Sequence, residues 1–200
     1  MLEGNIFDSV TRKGYFLDDL EGFDAAFFGI SPREAEHMDP HQRPSLELTY
    51  EGLQNAGIRP DRLAGSDTAA IEAWSGIGTA HHGISNRISY HPDLRGPSRA
   101  VDAACASSLV ALHLARGAIV SGESTLAICS GVNVICTPEI TCMLQKAGAL
   151  KADSVCRSFN AAASGYARGE EWGIIILKRL SAAQEDNDHI LAMLKSSASA

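Results

Sequence analysis

Cys105 is the residue whose position in the sequence best suits covalent chemistry. It lies in the segment SRAVDAACASSLVALHLA, where an extended run over 99–104 meets an apolar helix predicted from residue 106. A thiol at such a turn is exposed, and the partial positive charge at a helix N-terminus favours the thiolate. The unpaired N–H groups there can also stabilise the oxyanion of a tetrahedral intermediate. The pattern therefore favours acyl transfer through a Cys105 thioester.

A simpler interpretation of Cys105 stays open, because free cysteine is among the most buried residue types. The remaining cysteines have no comparable setting and are expected to be structural: Cys129, Cys136, Cys142 and Cys156. With Cys105 the chain has five cysteines, an odd number that argues against a disulfide framework. No two of them form a CxxC pair, which argues against a zinc site. No metal site is therefore expected.

The sequence gives no clear general base for a cysteine nucleophile. His113 is eight residues along the same predicted helix, about 12 Å from Cys105, and cannot reach back. His81 and His82 could approach only through tertiary folding, and paired histidines are more often solvated. No histidine is therefore assigned as the base.

Two further patterns only weakly resemble functional sites. Gly76, Gly78 and Gly83 imitate a dinucleotide-binding loop, but the third glycine is wrongly spaced and no clear strand precedes them. Several acidic residues could form paired carboxylates, although a solvated face explains them equally well: Glu34, Glu36, Asp39, Glu170 and Glu171.

Apolar periodicity predicts the elements that position Cys105. Helices are predicted over 39–56, 79–90 and 106–122, the last of them buried nearly all round. Asp39 is the expected cap of the first helix and Gly57 its end, but Pro44 is unfavourable there unless the helix begins later. Buried strands are predicted over 126–135, 173–177 and 190–194. The alternation of strands and buried helices predicts a layered α/β fold.

Composition excludes several classes of protein. The 200 residues are 45% hydrophobic, which is enough for one core, and the net charge is −7 without long runs of Lys or Arg. Nucleic acid is therefore not an expected partner. The N-terminus lacks a signal-like apolar stretch, and no later stretch is expected to be long enough to span a bilayer. We predict a cytoplasmic chain with no membrane partner.

Six segments occur in an order that identifies a family. They are GYFLDDLEGFDAAFFGISPREAEHMDP, GISNRISY, GPSRAVDAACASSLVALH, SGVNVICTPE, RSFNAAASGYARGE and ILKRLSAA. This order resembles the N-terminal part of a ketosynthase, the β-ketoacyl synthase domain of polyketide and fatty acid synthases. The segments AVDAACASSL, GIGTA and KAGAL are most similar to iterative type I polyketide synthases of the 6-methylsalicylic acid type.

The resemblance implies a fold and a reaction. The fold would be the thiolase-like layered αβαβα fold, with a homodimer in the complete domain. Cys105 would take an acyl chain from the phosphopantetheine arm of an acyl carrier protein, and no cofactor would bind directly. A malonyl thioester on the carrier would then lose CO₂, and its carbanion would attack the Cys105 thioester. Two histidines in the family's C-terminal half would assist decarboxylation.

The resemblance also implies that residues 1–200 form a partial ketosynthase domain. Three parts are expected to be missing: the first strand, a strand and loop near 70/71, and the C-terminal half. Asn160 and Ser164 stand where the family usually has aspartate, and Glu171 where it has glycine. Two other hypotheses stay open. One is an inactive truncated fragment or dimerising remnant, and the weaker one is a thiolase-like degradative enzyme.

Overall fold

The computed structural model describes residues 13–74 and 82–199, which belong to two compact units. The first unit comprises residues 13–19 and 134–171, and the second comprises 20–133 and 172–199. The helices are α1 (Pro32–His37), α2 (Gln42–Asn55), α3 (His82–Tyr90), α4 (Ser107–Ser121), α5 (Glu139–Lys146) and α6 (Leu180–Glu185). The strands are β1 (Ala69–Trp74), β2 (Ser98–Val101), β3 (Leu126–Asn133) and β4 (Glu171–Lys178).

The second unit is built on a four-stranded sheet in the order β2-β1-β3-β4. β1 runs parallel to both of its neighbours, β2 and β3. The register places Glu72 of β1 opposite Ala100 of β2 and Ser130 of β3. β1 therefore lies inside the sheet, and Ala69 to Ala73 are all buried.

Helices cover both faces of this sheet. Successive strand residues point to opposite faces, so β1 and β3 contribute to two separate apolar clusters. The cluster on the α4 face contains Ala69, Ile71, Ala73, Ala111, Ala115, Ala118, Ile119, Ala127 and Cys129. The cluster on the opposite face contains Leu53, Leu63, Ala70, Ile88, Leu94, Leu126 and Ile128. This arrangement of helix, sheet and helix confirms the predicted layered α/β class.

The helix α2 begins later than Asp39. Its N-cap is His41, and the predicted cap Asp39 is wrong; the Asp39 carboxylate instead accepts the His41 N–H at 2.8 Å. Pro44 is then the third helical residue, where its missing N–H needs no partner within the helix. Gly57, with φ of +74°, follows the helix end as predicted.

The helix α4 is buried on one face only. Ala111, Ala115 and Ala118 pack on the sheet, whereas Leu109 and Val120 are 73% and 60% exposed. The prediction of a helix buried nearly all round is wrong, because the sheet contacts only one side of α4. At the C-terminus Gly122 adopts the left-handed conformation, and the Arg179 guanidinium donates to the Ile119 carbonyl at 2.9 Å.

The stretch Ala104–Ser121 is long and apolar enough, by length and composition, to cross a membrane. The expectation that no stretch reaches that length is therefore wrong. Core helices of soluble proteins also reach this length and hydropathy, and α4 packs on β1 and β3 through its alanine face.

Two of the three predicted strands are confirmed. The segments 126–135 and 173–177 form β3 and β4, but 190–194 has no regular secondary structure. Side chains of α4 hold this tail instead, because Arg116 donates to the Lys195 carbonyl at 3.3 Å and His113 Nδ1 lies 3.0 Å from Ser197 Oγ. The helix expected over 79–90 is observed as α3 from His82, and residues 79–81 lie outside the described part.

The strand β1 and the helices α1, α5 and α6 were not predicted. The signal for α1 was present, since Ser31, Pro32 and Glu34 match a helix start, and the Ser31 hydroxyl accepts the Glu34 N–H at 3.2 Å. β1 lies across residues 70/71, where the family resemblance implies a missing strand and loop. The absence of family residues at this position stays a prediction. The residues that are present there form a strand.

Candidate active-site turn

Cys105 lies between a strand and a helix, as its sequence setting predicts. β2 ends at Val101, Ala104–Ala106 form a short 3₁₀ turn, and α4 begins at Ser107. The extended run is shorter than the predicted 99–104, because its last three residues leave the strand to make this turn. Cys105 is exposed, as a residue that accepts an acyl group must be. We call residues 102–107 the Cys105 turn.

Two side chains within the Cys105 turn hold its backbone. The Asp102 carboxylate accepts the Ala104 N–H at 3.0 Å. The Ser107 hydroxyl accepts the Ala103 N–H at 2.8 Å and donates to the Ala104 carbonyl at 2.7 Å. Ser107 is buried beneath the turn. The turn is therefore fixed by side-chain-to-backbone hydrogen bonds that span at most four residues.

Ala104 adopts a conformation that L-residues rarely adopt, with φ of +50°. The left-handed conformation costs a residue with a Cβ about 1–2 kcal/mol. The hydrogen bonds to its N–H and its carbonyl offset this cost. Backbone strain that neighbouring bonds maintain is a feature of functional turns. Here the strained residue directly precedes Cys105.

The first turn of α4 has no side-chain cap. Its N-cap is Ala106, whose methyl side chain cannot accept a hydrogen bond from the backbone N–H groups that follow. The Ala106 N–H donates to the Ala103 carbonyl at 3.1 Å and the Ser107 N–H donates to the Ala104 carbonyl. An oxyanion near the Cys105 sulfur would therefore be stabilised by the helix dipole and by N–H groups further along the first turn of α4. The Cys105 turn thus combines an exposed thiol with nearby N–H donors.

The other cysteines differ from Cys105 in accessibility or in bonding. Cys129 and Cys142 are buried, and burial together with the Glu72 carboxyl raises the pKa of the Cys129 thiol to about 12. Cys136 and Cys156 are exposed, and the Cys156 sulfur accepts the Ala167 N–H at 3.2 Å. Exposure alone therefore does not distinguish Cys105, whereas its position before α4 does.

The histidines that are described with partners bind groups other than Cys105. His113, which is eight residues along the chain from Cys105, instead has its Nδ1 3.0 Å from Ser197 Oγ. His41 Nδ1 lies 2.6 Å from Asp39 Oδ1, and His37 Nδ1 lies 2.7 Å from the Arg33 carbonyl. His81 and the side chain of His82 lie outside the described part of the chain.

Glu34, Asp39 and Glu170 have structural partners, and Asp39 pairs with His41. Glu34 pairs with Arg87 at 2.7 Å. In the first unit Glu170 is buried, and its carboxylate accepts the N–H groups of Leu17 at 3.1 Å and Ile135 at 2.9 Å. The solvated-face interpretation is wrong for Glu170, which joins two chain segments. Gly76 and Gly78 lie outside the described residues, and no group of three potential metal ligands occurs within residues 13–74 and 82–199.

The family model for the β-ketoacyl synthase N-terminal domain matches residues 4–75 and 69–183. The chain belongs to the β-ketoacyl synthase family. The predicted resemblance is therefore confirmed. The two matched stretches share residues 69–75, which include all of β1.

Synthases and solved ketosynthases resemble this β-ketoacyl synthase chain over most of its length. It is 57% identical to a mellein synthase of Phaeosphaeria nodorum and 55% identical to a 6-methylsalicylic acid synthase of Aspergillus terreus, each over 96% of the chain. The oxazolomycin ketosynthase domain of Streptomyces albus superposes with a TM-score of 0.84 at 36% identity, over 88% of this chain. The module 6 ketosynthase of the Bacillus subtilis bacillaene synthase gives 0.84 at 38% identity, over 87%.

The chain spans only part of these proteins. It covers 12% of both named synthases and 35% and 33% of the two ketosynthase structures. The match to ketosynthase structures confirms the thiolase-like fold class, of which the described sheet and its helices are one part.

Asp102 and Ser107 were not singled out from the sequence. A signal for Asp102 existed, because aspartate often accepts the N–H two residues on and so initiates a turn. Ser107 had no such signal, since a serine next to an apolar helix is common on solvated surfaces.

Proposed function

We propose that this chain is the cysteine-bearing part of a polyketide synthase ketosynthase domain and that Cys105 is its acyl-accepting nucleophile. The observation that carries the proposal is the exposed position of Cys105, after the strained residue Ala104 and just before α4, which has no side-chain cap. Membership of the β-ketoacyl synthase family supports the same residue. The names of the relatives favour polyketide over fatty acid biosynthesis.

The first half-reaction is acyl transfer to the sulfur of Cys105. The thiolate attacks the carbonyl carbon of an acyl group that an acyl carrier protein presents on its phosphopantetheine arm. As the carbon–sulfur bond forms, negative charge develops on the carbonyl oxygen, where the N–H groups of the first turn of α4 can stabilise it. The bond to the arm's sulfur then breaks, and the arm leaves as a thiolate.

The second half-reaction makes a carbon–carbon bond in the complete domain. A malonyl thioester on the carrier loses CO₂, and the resulting carbanion attacks the Cys105 thioester. The Cys105 thiolate leaves, and the chain on the carrier is longer by two carbons. The chain spans about a third of the ketosynthase structures, and we propose that the two histidines that the resemblance implies for the family's C-terminal half assist decarboxylation. We expect a homodimer of complete domains in the cytoplasm.

Selective acylation of Cys105 tests this function. The full chain is incubated with a small acyl thioester that mimics the phosphopantetheine arm, and the modified cysteines are identified by peptide mapping. Cys136 and Cys156 are the matched internal controls, because they are also exposed. We expect Cys105 to react at least about tenfold faster than either, and Cys105→Ala to remove this fast phase. Equal rates at the three exposed thiols would contradict the proposal.

A second candidate function is a dimerising module without catalysis. It is favoured by one observation, the apolar residues that α4 exposes, among them Leu109 at 73% and Val120 at 60%. Analytical ultracentrifugation and a malonyl-thioester decarboxylation assay separate the two functions. A stable dimer that does not acylate Cys105 would favour this second candidate.

A further inference from the structure

The centre of the sheet contains a buried polar cluster outside the Cys105 turn. Glu72 is fully buried in β1, with Ser130 opposite it on β3. Ser45 of α2 reaches the same carboxyl from the covering helix, with its hydroxyl 3.0 Å from Glu72 Oε1. We call Glu72, Ser45 and Ser130, together with the adjacent His41 and Asp39, the Glu72 cluster.

Counting protons in the Glu72 cluster indicates the state of the carboxyl. The Ser45 hydroxyl has one hydrogen but two acceptor-type neighbours, the His41 carbonyl at 2.9 Å and Glu72 Oε1 at 3.0 Å. When Glu72 is ionised, the Ser45 hydroxyl can donate to Oε1, because the His41 carbonyl also accepts the Ser45 backbone N–H at 3.4 Å. When Glu72 is protonated, its Oε1–H can donate to the Ser45 oxygen while the Ser45 hydrogen goes to the His41 carbonyl, so the protonated state has one hydrogen bond more. In either state the Ser130 hydroxyl donates to the other oxygen, Oε2.

We propose that Glu72, Ser45 and Ser130 form a buried proton-binding site, in which the folded chain holds a proton on Glu72 that the unfolded chain releases at lower pH. The site makes the fold pH-sensitive, because deprotonation leaves a carboxylate inside the sheet with one hydrogen bond fewer. This inference does not depend on the reaction proposed for Cys105.

The charged groups around Glu72 do not remove this cost. His41 approaches from the start of α2, but its Nδ1 is paired with Asp39. On β3 the adjacent thiol is Cys129, which stays neutral because its pKa is raised, and on β2 the opposite residue is Ala100. On α3 the guanidinium of Arg87 contacts other residues, Gln42 at 2.8 Å and Glu34 at 2.7 Å.

Burial has the largest effect on the carboxyl and raises the pKa of Glu72 from 4.5 to about 7, although Ser130, Ser45 and His41 each lower it. Between these two values the unfolded chain has lost the proton and the folded chain keeps it. Stability therefore falls as the pH rises through this window and levels off above about 7. The effect is a loss of about two orders of magnitude in the folded-to-unfolded ratio.

Urea unfolding of the full chain between about pH 4.5 and pH 8 tests the site in the unsubstituted protein and in Glu72→Gln. Glutamine keeps the proposed pattern, because its NH₂ can donate to Ser45 and its oxygen can accept from Ser130. We expect the unsubstituted chain to lose about a hundredfold more in its folded-to-unfolded ratio than Glu72→Gln over this range. Glu51→Gln, at an exposed position of α2, should behave like the unsubstituted chain. Parallel curves for Glu72→Gln and the unsubstituted chain would overturn the proposal.

Infrared spectroscopy of the unsubstituted chain gives an independent readout if Glu72→Gln does not fold. At about pH 6 exposed carboxyls are ionised, so a remaining protonated-carboxyl band that disappears by about pH 8–9 would support the site. Absence of that band at about pH 6 would mean that Glu72 is ionised and paired with a charged His41, which would overturn the proposal.

Discussion

The Cys105 turn and the Glu72 cluster both place polar groups next to apolar layers, but they satisfy them differently. In the Cys105 turn the hydrogen bonds join residues two to four positions apart, and Cys105 is exposed. In the Glu72 cluster the partners of Glu72 are 27 and 58 residues away, and the carboxyl is fully buried. The chain thus positions an exposed cysteine through local contacts and a buried carboxyl through distant ones.

This difference predicts how the two regions respond to change. The hydrogen bonds of the Cys105 turn join only neighbouring residues. A change in this turn should therefore have little effect on the rest of the fold. A buried carboxyl depends on several elements at once, so the loss of one partner leaves a polar group unsatisfied in the core. Substitutions near Glu72 should therefore change stability most, and they should do so in a pH-dependent manner.

The largest effect is expected for Ser130→Ala. This change removes the donor to Glu72 Oε2, which should lower the free energy of unfolding by about 1–3 kcal/mol. Because the Ser130 hydrogen bond lowers the pKa of Glu72, its loss raises that pKa further and penalises the ionised state. The destabilisation should therefore be larger at about pH 8 than at about pH 5.

Urea unfolding at these two pH values measures the Ser130→Ala effect. Ser181→Ala is a suitable control, since Ser181 is exposed on α6. A destabilisation that is equal at both pH values would mean that Ser130 acts through packing and not through the charge of Glu72.

The local and distant character of the two regions also explains what the sequence could predict. The position of Cys105 followed from an apolar helix preceded by a β-prone run, and both are visible within about twenty residues. β1 could not be predicted in the same way, because its residues Ala69 to Ala73 are mostly alanine with a glutamate, and both types are depleted in strands. Its place between β2 and β3 is decided by tertiary packing.

Two wrong predictions have the same cause, which is tertiary packing that the local sequence does not specify. The apolar segment 190–194 resembles a strand, but it has no regular structure, and the carbonyl of the next residue, Lys195, is bound by Arg116 of α4. α4 looks uniformly apolar in sequence, yet only its alanine face meets the sheet. In both cases the sequence showed that the segment is apolar, but it did not show which element the segment would pack against.

Gly131→Ala probes the point where the two regions meet on β3. Ser130 faces the Glu72 cluster, and its neighbour Gly131 faces the start of α4, where an added Cβ would lie 2.6 Å from Ser108 Oγ. We expect a loss of about 1–2 kcal/mol in the free energy of unfolding, together with slower acylation of Cys105 as α4 shifts.

The double variant Ser108→Ala with Gly131→Ala is the control for this prediction. The Ser108 Cβ lies 3.5 Å from the added atom, which is an ordinary contact, so removing the hydroxyl should restore both stability and acylation. Failure of this rescue would show that the added methyl group conflicts with the sheet, where the Ala73 Cβ is also 3.5 Å away, and not with α4.

The smallest effect is expected for Ala104→Gly in the Cys105 turn. Glycine adopts φ of +50° without the strain of a Cβ, which should gain about 1–2 kcal/mol, but it loses about 0.5–1 kcal/mol through the greater freedom of the unfolded chain. The net change is a stabilisation of about 1 kcal/mol or less, measured by urea unfolding. Ala106→Gly, at φ of −92°, has no strain to relieve and should destabilise. If both variants destabilise equally, the Cys105 turn stores no strain at Ala104, and its geometry is set by Asp102 and Ser107 alone.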